Sequence, residues 1–489
     1  MENNENSGIS PKALKLFKEW GCRKVPCCHW KSNEHLIPGL QGKTDLDVLV
    51  SRSHSNEARQ VLLSLGFMRF QPCTYLNYQG IEDYIGLDED TGAILHVHLH
   101  WELLIGRKFL KEIHLPWEDA IFQSVEEYEN LAVPVIKPEI ELILLVIRAA
   151  VKMNLKKRLK RKGLGTDDQR EYDWLLSRIS QEELKEKANE LLVQNLAESF
   201  SDLINNPASS QLAVLGRQFR RELPWTRSAL DYYKMKLYAA GNYLSHKKFG
   251  LPKPYRRSLP EGGCVIAFFG VDGSGKSTII RETHKWLTWK LDVYSIYFGS
   301  GDGKGSLLRW PLKVVASLRK KKRGNVLSLS EEKSKRKKKN ILFRMARALW
   351  ALSLAREKGK KIRDMLKARS RGMIVLCDRY PQTQFNDIND GPLLSHWSNS
   401  SLSLKRKLAN WEYGVYNLAN SYPPDLSIKL IIPVDLAAER KTDTPHYILE
   451  QKAGIISELK PGKQIVSVNT TGTVEESMAE IKKILWSNL

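Results

Sequence analysis

The sequence predicts an α/β protein: a parallel sheet with helices on both faces in the C-terminal half, an α+β domain at the N-terminus, and a helical region between them. Three observations predict it. Beyond residue 263, short apolar runs alternate with helical stretches, as in parallel sheets covered on both sides. From Cys27 to about Val135, short β-like runs alternate with turns. From Glu139 to about Tyr243 the period is helical.

The first domain is set at residues 1–137. Cys27, Cys28 and His29 offer metal-ligating atoms, but their neighbours Val25 and Trp30 favour a buried strand. The segment from Trp30-Lys-Ser-Asn-Glu-His to Gly42-Lys-Thr-Asp45-Leu-Asp47-Val-Leu-Val50 is more informative. Asp45 and Asp47 are two apart on a predicted strand, so period-two geometry turns both carboxylates to one face. Two such carboxylates can share a pair of divalent cations. In the nucleotidyltransferase fold, whose signature this segment resembles, a third carboxylate is expected on a later strand. The candidate, Ile94-Leu-His96-Val-His98-Leu-His100, carries alternating histidines instead, a pattern that suits metal or a half-buried polar face. Over roughly residues 20–135 this segment resembles the Gly…Asp-x-Asp signature of the nucleotidyltransferase fold, with Ser32-Asn33 where that fold has Gly-Ser. The resemblance implies a nucleotidyltransferase-like domain with Asp45, Asp47 and His98 as site candidates. Catalysis, sensing of a nucleotide or sugar phosphate, and a structural role all remain open for it.

Residues 138–248 form the helical region, with segments Glu139–Met153, Gln181–Ile204 and Ser228–Tyr243. The basic run Lys156–Lys162 reads as a solvated helix end or an anion contact. Residues 249–263 follow, with three prolines and three glycines that sustain neither a helix nor a central strand; they are expected to be a linker.

The last domain, 264–489, opens with the apolar strand Cys264–Phe269 and a helix from Ser277 to about Lys290. Further strands are Val293–Phe298, Met373–Cys377, Leu426–Ile432 and Ile465–Val468, with a final helix Thr473–Leu485. Between the second and third strands lies the basic stretch Arg319–Lys339. It reads as a solvated charge run or as a contact for an acidic partner; with little aromatic interleaving it is no stacking platform.

Gly270-Val-Asp272-Gly273-Ser274-Gly275-Lys276-Ser277-Thr278 matches GxxxxGK[ST] between a strand and a helix. Its glycines let the backbone wrap so that several N–H groups point at one phosphate. The helix N-terminus adds partial positive charge. Lys276 then serves the β- and γ-phosphates, and the Ser277 hydroxyl is placed for Mg²⁺. ATP and Mg²⁺ are therefore the expected cofactors. Met373–Cys377 runs into Asp378-Arg379-Tyr380 at a strand's carboxyl end, where doubly wound sheets bind ligands. Asp378 can hold Mg²⁺ or orient an acceptor, and Arg379 can grip an acceptor phosphate with its two-pronged guanidinium.

These two motifs, with Pro424-Asp425-Leu426 and Asp435-Leu-Ala-Ala-Glu-Arg440-Lys441, resemble ordered motifs of thymidylate kinases over Gly262–Leu489. The closing Val468-Asn-Thr-Thr-Gly-Thr-Val-Glu-Glu475 resembles that family's last strand-to-helix turn. The resemblance implies a nucleoside-monophosphate-kinase fold, transfer of the ATP γ-phosphoryl to a dTMP-like monophosphate, Arg440 reaching the transferring group, and Arg356, on the helix Ala346–Lys358, reading the acceptor base. The acceptor side departs from the family. Phe298-Gly-Ser-Gly-Asp-Gly303 replaces its Arg-Glu-Pro-Gly loop, and Pro381-Gln-Thr-Gln with Asp390-Gly-Pro392 replaces its Ser/Ala-Tyr-Gln segment. A phosphorylated sugar, in surface-polysaccharide or nucleotide-sugar synthesis, is the alternative acceptor.

The net charge of +22 favours anionic partners. It also admits a contrasting class, an ATP-binding switch that meets nucleic acid or membrane through Arg319–Lys339. Six cysteines without a CxxC pair suggest a reducing compartment. The first ten residues lack an apolar signal core, and the longest apolar run, Leu142–Ile147, falls short of the ~20 residues of a membrane span. A cytoplasmic protein without a transmembrane segment is expected, and a dimer is compatible with the sequence.

Overall fold

Val265–Phe269 is apolar at all five positions and buried at each, as a central parallel strand must be. The computed structural model, which describes residues 8–152, 164–204, 209–222, 229–299, 333–386, 390–442 and 444–489, divides into two compact units. One comprises Met1–Lys248 with Tyr255–Pro260; the other comprises Phe249–Pro254 with Glu261–Leu489.

The first unit carries a mixed sheet. Its strands are β1 (Cys27–His29), β2 (Leu46–Val50), β3 (Met68–Pro72), β4 (Ile81–Leu87), β5 (Ile94–His100), β8 (Val125–Glu127), β9 (Pro134–Ile136) and β10 (Arg257–Ser258). A two-stranded ribbon of β6 (Leu104–Ile105) and β7 (Ile113–His114) lies apart. The large sheet runs in the order β10-β3-β4-β5-β2-β1-β9-β8. β2 and β5 are parallel with Asp47 opposite His98, while β4 and β5 are antiparallel with Asp83 opposite His98. That register fixes the first unit's polar cluster.

The helix Pro138–Val151 is apolar nearly all round and buries Ile140 through Ile147. It is the centre of a helical core, and the helix Ser209–Glu222 crosses it where a Cβ on Gly216 would stand 2.2 Å from the Ala150 carbonyl oxygen. Gln181–Ile204, expected as one helix, is two: Gln181–Leu191 and Gln194–Ile204. The chain breaks at Leu192, which is extended at φ −105°, ψ 145° and buried. The break lets Leu184 and Ala188 on one side and Leu196 and Phe200 on the other join the same core. The run Lys156–Lys162 lies outside the described residues.

The proline-rich stretch 249–263 divides between the units. Within it Arg257 and Ser258 pair antiparallel with Pro72 and Gln71 of β3. β10 is an edge strand, the position that a neighbouring proline tolerates.

The second unit's strands are β11 (Val265–Phe269), β12 (Val293–Tyr297), β13 (Ile374–Asp378), β14 (Leu426–Ile431) and β15 (Gln464–Asn469). All neighbours are parallel, in the order β12-β13-β11-β14-β15. Asp378 stands opposite both Phe268 and Tyr297, so the carboxyl ends of three strands are level. Residues 300–332 lie outside the described residues, and with them much of the basic stretch and Ser300–Gly303 of the glycine-rich segment. Lys333–Ser370 is one helix. No helix among the described residues is long and apolar enough to cross a membrane.

Candidate functional site

β11 delivers the chain into the phosphate loop at Gly270. Gly273 and Gly275 sit at φ +88° and +79°, in the left-handed region that glycine adopts without penalty. Their reasons differ. A Cβ on Gly273 would stand 2.4 Å from the Ala437 carbonyl oxygen, whereas one on Gly275 would meet nothing within 4 Å. The loop is thus wrapped against the helix Val434–Arg440 at one glycine and merely turned at the other. Lys276 opens the helix Lys276–Leu287 and is buried. Its ammonium donates to the carbonyls of Gly270 at 3.0 Å and Val271 at 3.4 Å. Burial, then the neighbouring Arg379, lowers its pKa to about 8. Ser277 is exposed and Thr278 half-buried in the first turn, while the Ser274 hydroxyl is buried without a hydrogen-bond partner among the described residues. Thr470, after β15, donates to the Ser274 carbonyl at 3.1 Å and ties the last strand to the loop.

Asp378 ends β13. Its Oδ1 is buried without a hydrogen-bond partner among the described residues, and burial raises its pKa above the ordinary carboxylate value against the pull of Lys276 and Arg379. Arg379 takes φ +66°, a strained setting for a side chain with a Cβ. Its Nη2 lies 3.2 Å from Asp272 Oδ1 and its Nη1 3.7 Å from Asp390 Oδ2. Lys452 takes the other oxygen of Asp272 at 2.5 Å, and Lys358 lies 3.1 Å from Asp390 Oδ1. Cations and carboxylates therefore alternate through Lys452, Asp272, Arg379, Asp390 and Lys358. Burial opposes ionisation of Asp272, but Lys452 and Arg379 outweigh it and lower its pKa.

The structure gathers Asp272, Lys276, Asp378 and Arg379 at one crevice. Arg440 is engaged elsewhere: it donates to the carbonyls of Thr470 at 3.0 Å and Thr471 at 3.3 Å. Arg356 is on the exposed side of its helix, and Lys358, two residues on, is the buried one. At ~100° per residue a two-residue step reaches the opposite face, so the two cannot both turn inward.

In the first unit Asp45, Asp47 and the three histidines of β5 meet on one face. His96 Nδ1 lies 2.7 Å from Asp45 Oδ1, His98 Nδ1 3.2 Å from Asp47 Oδ1, and His100 Nε2 3.1 Å from Asp47 Oδ1. A carboxylate of β4 joins them: Asp83 Oδ1 lies 2.8 Å from His96 Nε2 and 3.1 Å from His98 Nε2. Two cations join them. Lys31 lies 2.8 Å from Asp47 and Arg257 Nε 2.6 Å from Asp83. Burial opposes the charged form of His98, but Asp47 and Asp83 outweigh it and raise its pKa to about 9. Burial pushes His100 down to about 3. Cys27, Cys28 and His29 form the buried strand β1. His29 pairs with Asn33 at 2.6 Å.

No family model matches the chain. The "Uncharacterized ATP-binding protein YghS" of Escherichia coli K12 is 30% identical over 196 residues, 40% of this chain and 80% of that protein. This chain belongs to the YghS family. Beyond YghS, the "Probable thymidylate kinase 2" of Saccharolobus solfataricus is 25% identical over 194 residues, 40% of this chain and 70% of its own length. Among solved structures, a thymidylate kinase from Candida albicans is 18% identical, covering 46% of this chain and 92% of its own, with a TM-score of 0.27.

In this member of the YghS family, four residues of the two clusters escape sequence reasoning: Asp83, Arg257, Lys358 and Lys452. Lys358 did leave a signal. It falls on the stripe of Ala351, Leu354, Ala355, Ile362 and Met365, all buried, at helical spacing where only an apolar residue is expected. Asp83 left none, because its role comes from pairing with a strand that follows it.

Proposed function

We propose that this chain is an ATP-dependent phosphotransferase related to thymidylate kinase, acting from its second unit on an acceptor that itself bears phosphate. One observation carries the reading. Among the described residues, the buried Lys276 ammonium is held by carbonyls of its own loop, and beside it Asp378 has a buried oxygen without a hydrogen-bond partner. Both groups are set to exchange these contacts for a triphosphate.

The residues fit magnesium as well as nucleotide. The partnerless oxygen of Asp378 and the exposed Ser277 hydroxyl would hold the ion, which neutralises charge across the transferring phosphates when bound. The loop amides and the helix N-terminus receive the β-phosphate. Lys276 leaves the Gly270 and Val271 carbonyls and follows the γ-phosphoryl group. Arg379, steadied between Asp272 and Asp390, grips the acceptor phosphate. Rate then comes from position and charge neutralisation.

A nucleoside monophosphate of the dTMP kind is the acceptor we favour. The rewritten segments after β12 and after Tyr380 support a second reading, a phosphorylated sugar. On that reading the first unit, with Asp45 and Asp47 turned to one face, is a nucleotidyltransferase-like partner acting on the same metabolite. The experiment is a panel of nucleoside monophosphates and sugar phosphates with ATP and Mg²⁺, read by product mass beside Lys276→Ala. Product from nucleotides alone supports the first acceptor, and product from sugar phosphates the second. No product from either, or product undiminished in Lys276→Ala, removes the kinase reading.

A further inference from the structure

The cluster on β2, β4 and β5 stands outside the phosphate-loop site and is unlike a plain acidic patch. Three imidazoles and three carboxylates converge in it, and His96, His100 and Asp83 are buried. Such a set asks for cations. Imidazole with carboxylate is a donor mixture suited to zinc-like d-block ions, where magnesium and calcium take oxygen alone.

The arrangement of ring nitrogens narrows this further. Asp83 Oδ1 lies beside Nε2 of both His96 and His98, at 2.8 and 3.1 Å. Each Nδ1 in turn faces a carboxylate of the β2 segment: His96 faces Asp45 and His98 faces Asp47. A metal-ligating histidine is commonly oriented in this way, by a carboxylate on its other nitrogen. Arg257 pairs with Asp83 at 2.6 Å and keeps that outer carboxylate ionised and in place; its Nη2, 3.0 Å from His98 Nε2, packs beside the same nitrogen.

Asp47 Oδ1, His98 Nδ1 and His100 Nε2 are the best-spaced donors. The carboxylate oxygen is 3.2 and 3.1 Å from the two nitrogens, and one donor atom from each residue lies within 4.8 Å of the others. Bonds of ~2.1 Å in a tetrahedral site place ligands about 3.4 Å apart, so little movement is needed. Lys31, 2.8 Å from the same Asp47 oxygen, supplies the positive charge there in the metal-free protein. Its side chain is long enough to withdraw.

We propose that Asp47, His98 and His100 bind one divalent d-block cation of the zinc class, with Asp83 as the outer carboxylate that orients His98. The test uses the full chain, stripped with chelator and dialysed, titrated with zinc chloride in a calorimeter. Wild type should take up one equivalent. Asp47→Asn and His100→Gln should each weaken binding at least ~100-fold, and Asp83→Asn should weaken it by ~10–100-fold while keeping the stoichiometry. Glu186→Gln, an exposed carboxylate on the helix Gln181–Leu191, should leave the isotherm unchanged. Cobalt chloride added to the wild type provides a readout independent of variant folding: intense ligand-field bands of a low-coordinate, nitrogen-ligated ion are expected. The weak spectrum of the hexaaquo ion overturns the proposal. So does zinc binding as tight in Asp47→Asn and His100→Gln as in wild type, or displacement of zinc by magnesium at equal concentration.

Discussion

Arg379 Nη2 lies 3.2 Å from Asp272 Oδ1, so the end of β13 is tied to the phosphate loop by a side-chain contact. The arginine reaches it from a left-handed backbone at φ +66°, which costs about 1–2 kcal/mol and persists only where the surroundings impose it. The strain aims the guanidinium along the strand's end, between Asp272 and Asp390. Arg379→Lys keeps the charge and loses the planar fork. We expect kcat/KM for the phosphorylated acceptor to fall by ~10²–10³, with the KM for ATP nearly unmoved. Steady-state kinetics with each substrate varied in turn checks this, and an effect confined to ATP would assign Arg379 to the wrong substrate.

The two left-handed glycines of the loop should respond differently. Gly275→Ala meets open space and carries only the backbone cost of about 1–2 kcal/mol. Gly273→Ala carries that cost and also drives a methyl group to 2.4 Å from the Ala437 carbonyl oxygen, a backbone atom that cannot rotate away. Gly273→Ala should therefore lose more stability, by at least ~2 kcal/mol, and more nucleotide affinity. Denaturant titration of both variants without nucleotide ranks them. Equal losses would mean that the loop and the helix Val434–Arg440 are not packed as described.

The difference between these glycines was not legible in the sequence, although the loop was. GxxxxGK[ST] is local: its spacing alone states the turn, the amides and the lysine. β11 and β13 were legible for the same kind of reason, since central parallel strands buried on both faces are apolar almost throughout, whereas the edge strands β12 and β15 are only partly buried and were read from their alternation with helices. What the sequence hid was pairing between distant segments. Asp83 enters the first unit's cluster because β4 runs antiparallel to β5, and Arg257 enters from a stretch whose prolines argued against a helix and a central strand but left an edge strand open. The break at Leu192 was hidden because Leu-Leu-Val continues a helical period as well as it ends one; tertiary packing decided it.

Lys276 should make stability depend on pH in a definite direction. Burial, with Arg379, lowers its pKa to about 8 from the ordinary 10.5. Between those values the unfolded chain holds a proton that the native lysine has released, so stability rises with pH across that window. Below about pH 8 the charged, buried lysine is a burden. Without nucleotide, Lys276→Met should be more stable than wild type at pH 7, by no more than about 3 kcal/mol. The advantage should shrink as pH rises from 8 to 10.5. Denaturant midpoints of both proteins across this range provide the measurement, and a constant difference would show that the ammonium is not desolvated in the native state.

Lys358 and Asp390 set the last expectation. Lys358 is 1% exposed, lies over the Tyr416 ring at 4.8 Å, and reaches Asp390 Oδ1 at 3.1 Å and the Asp390 carbonyl at 3.2 Å. Burial lowers its pKa, and the Asp390 carboxylate opposes that shift. Removing the carboxylate in Asp390→Ala strands a buried ammonium, and about 3 kcal/mol of stability should go with it. Replacing both, in Lys358→Met with Asp390→Ala, removes the stranded charge and refills the space with apolar volume. The double variant should therefore be more stable than Asp390→Ala alone, with a coupling energy of at least ~1 kcal/mol in a double-mutant cycle. Because Asp390 also steadies Arg379, the double variant should regain stability without regaining acceptor affinity. Stability and affinity recovering together would place Arg379 outside the influence of Asp390. A double variant no more stable than Asp390→Ala would mean that Lys358 reaches water once its partner is gone.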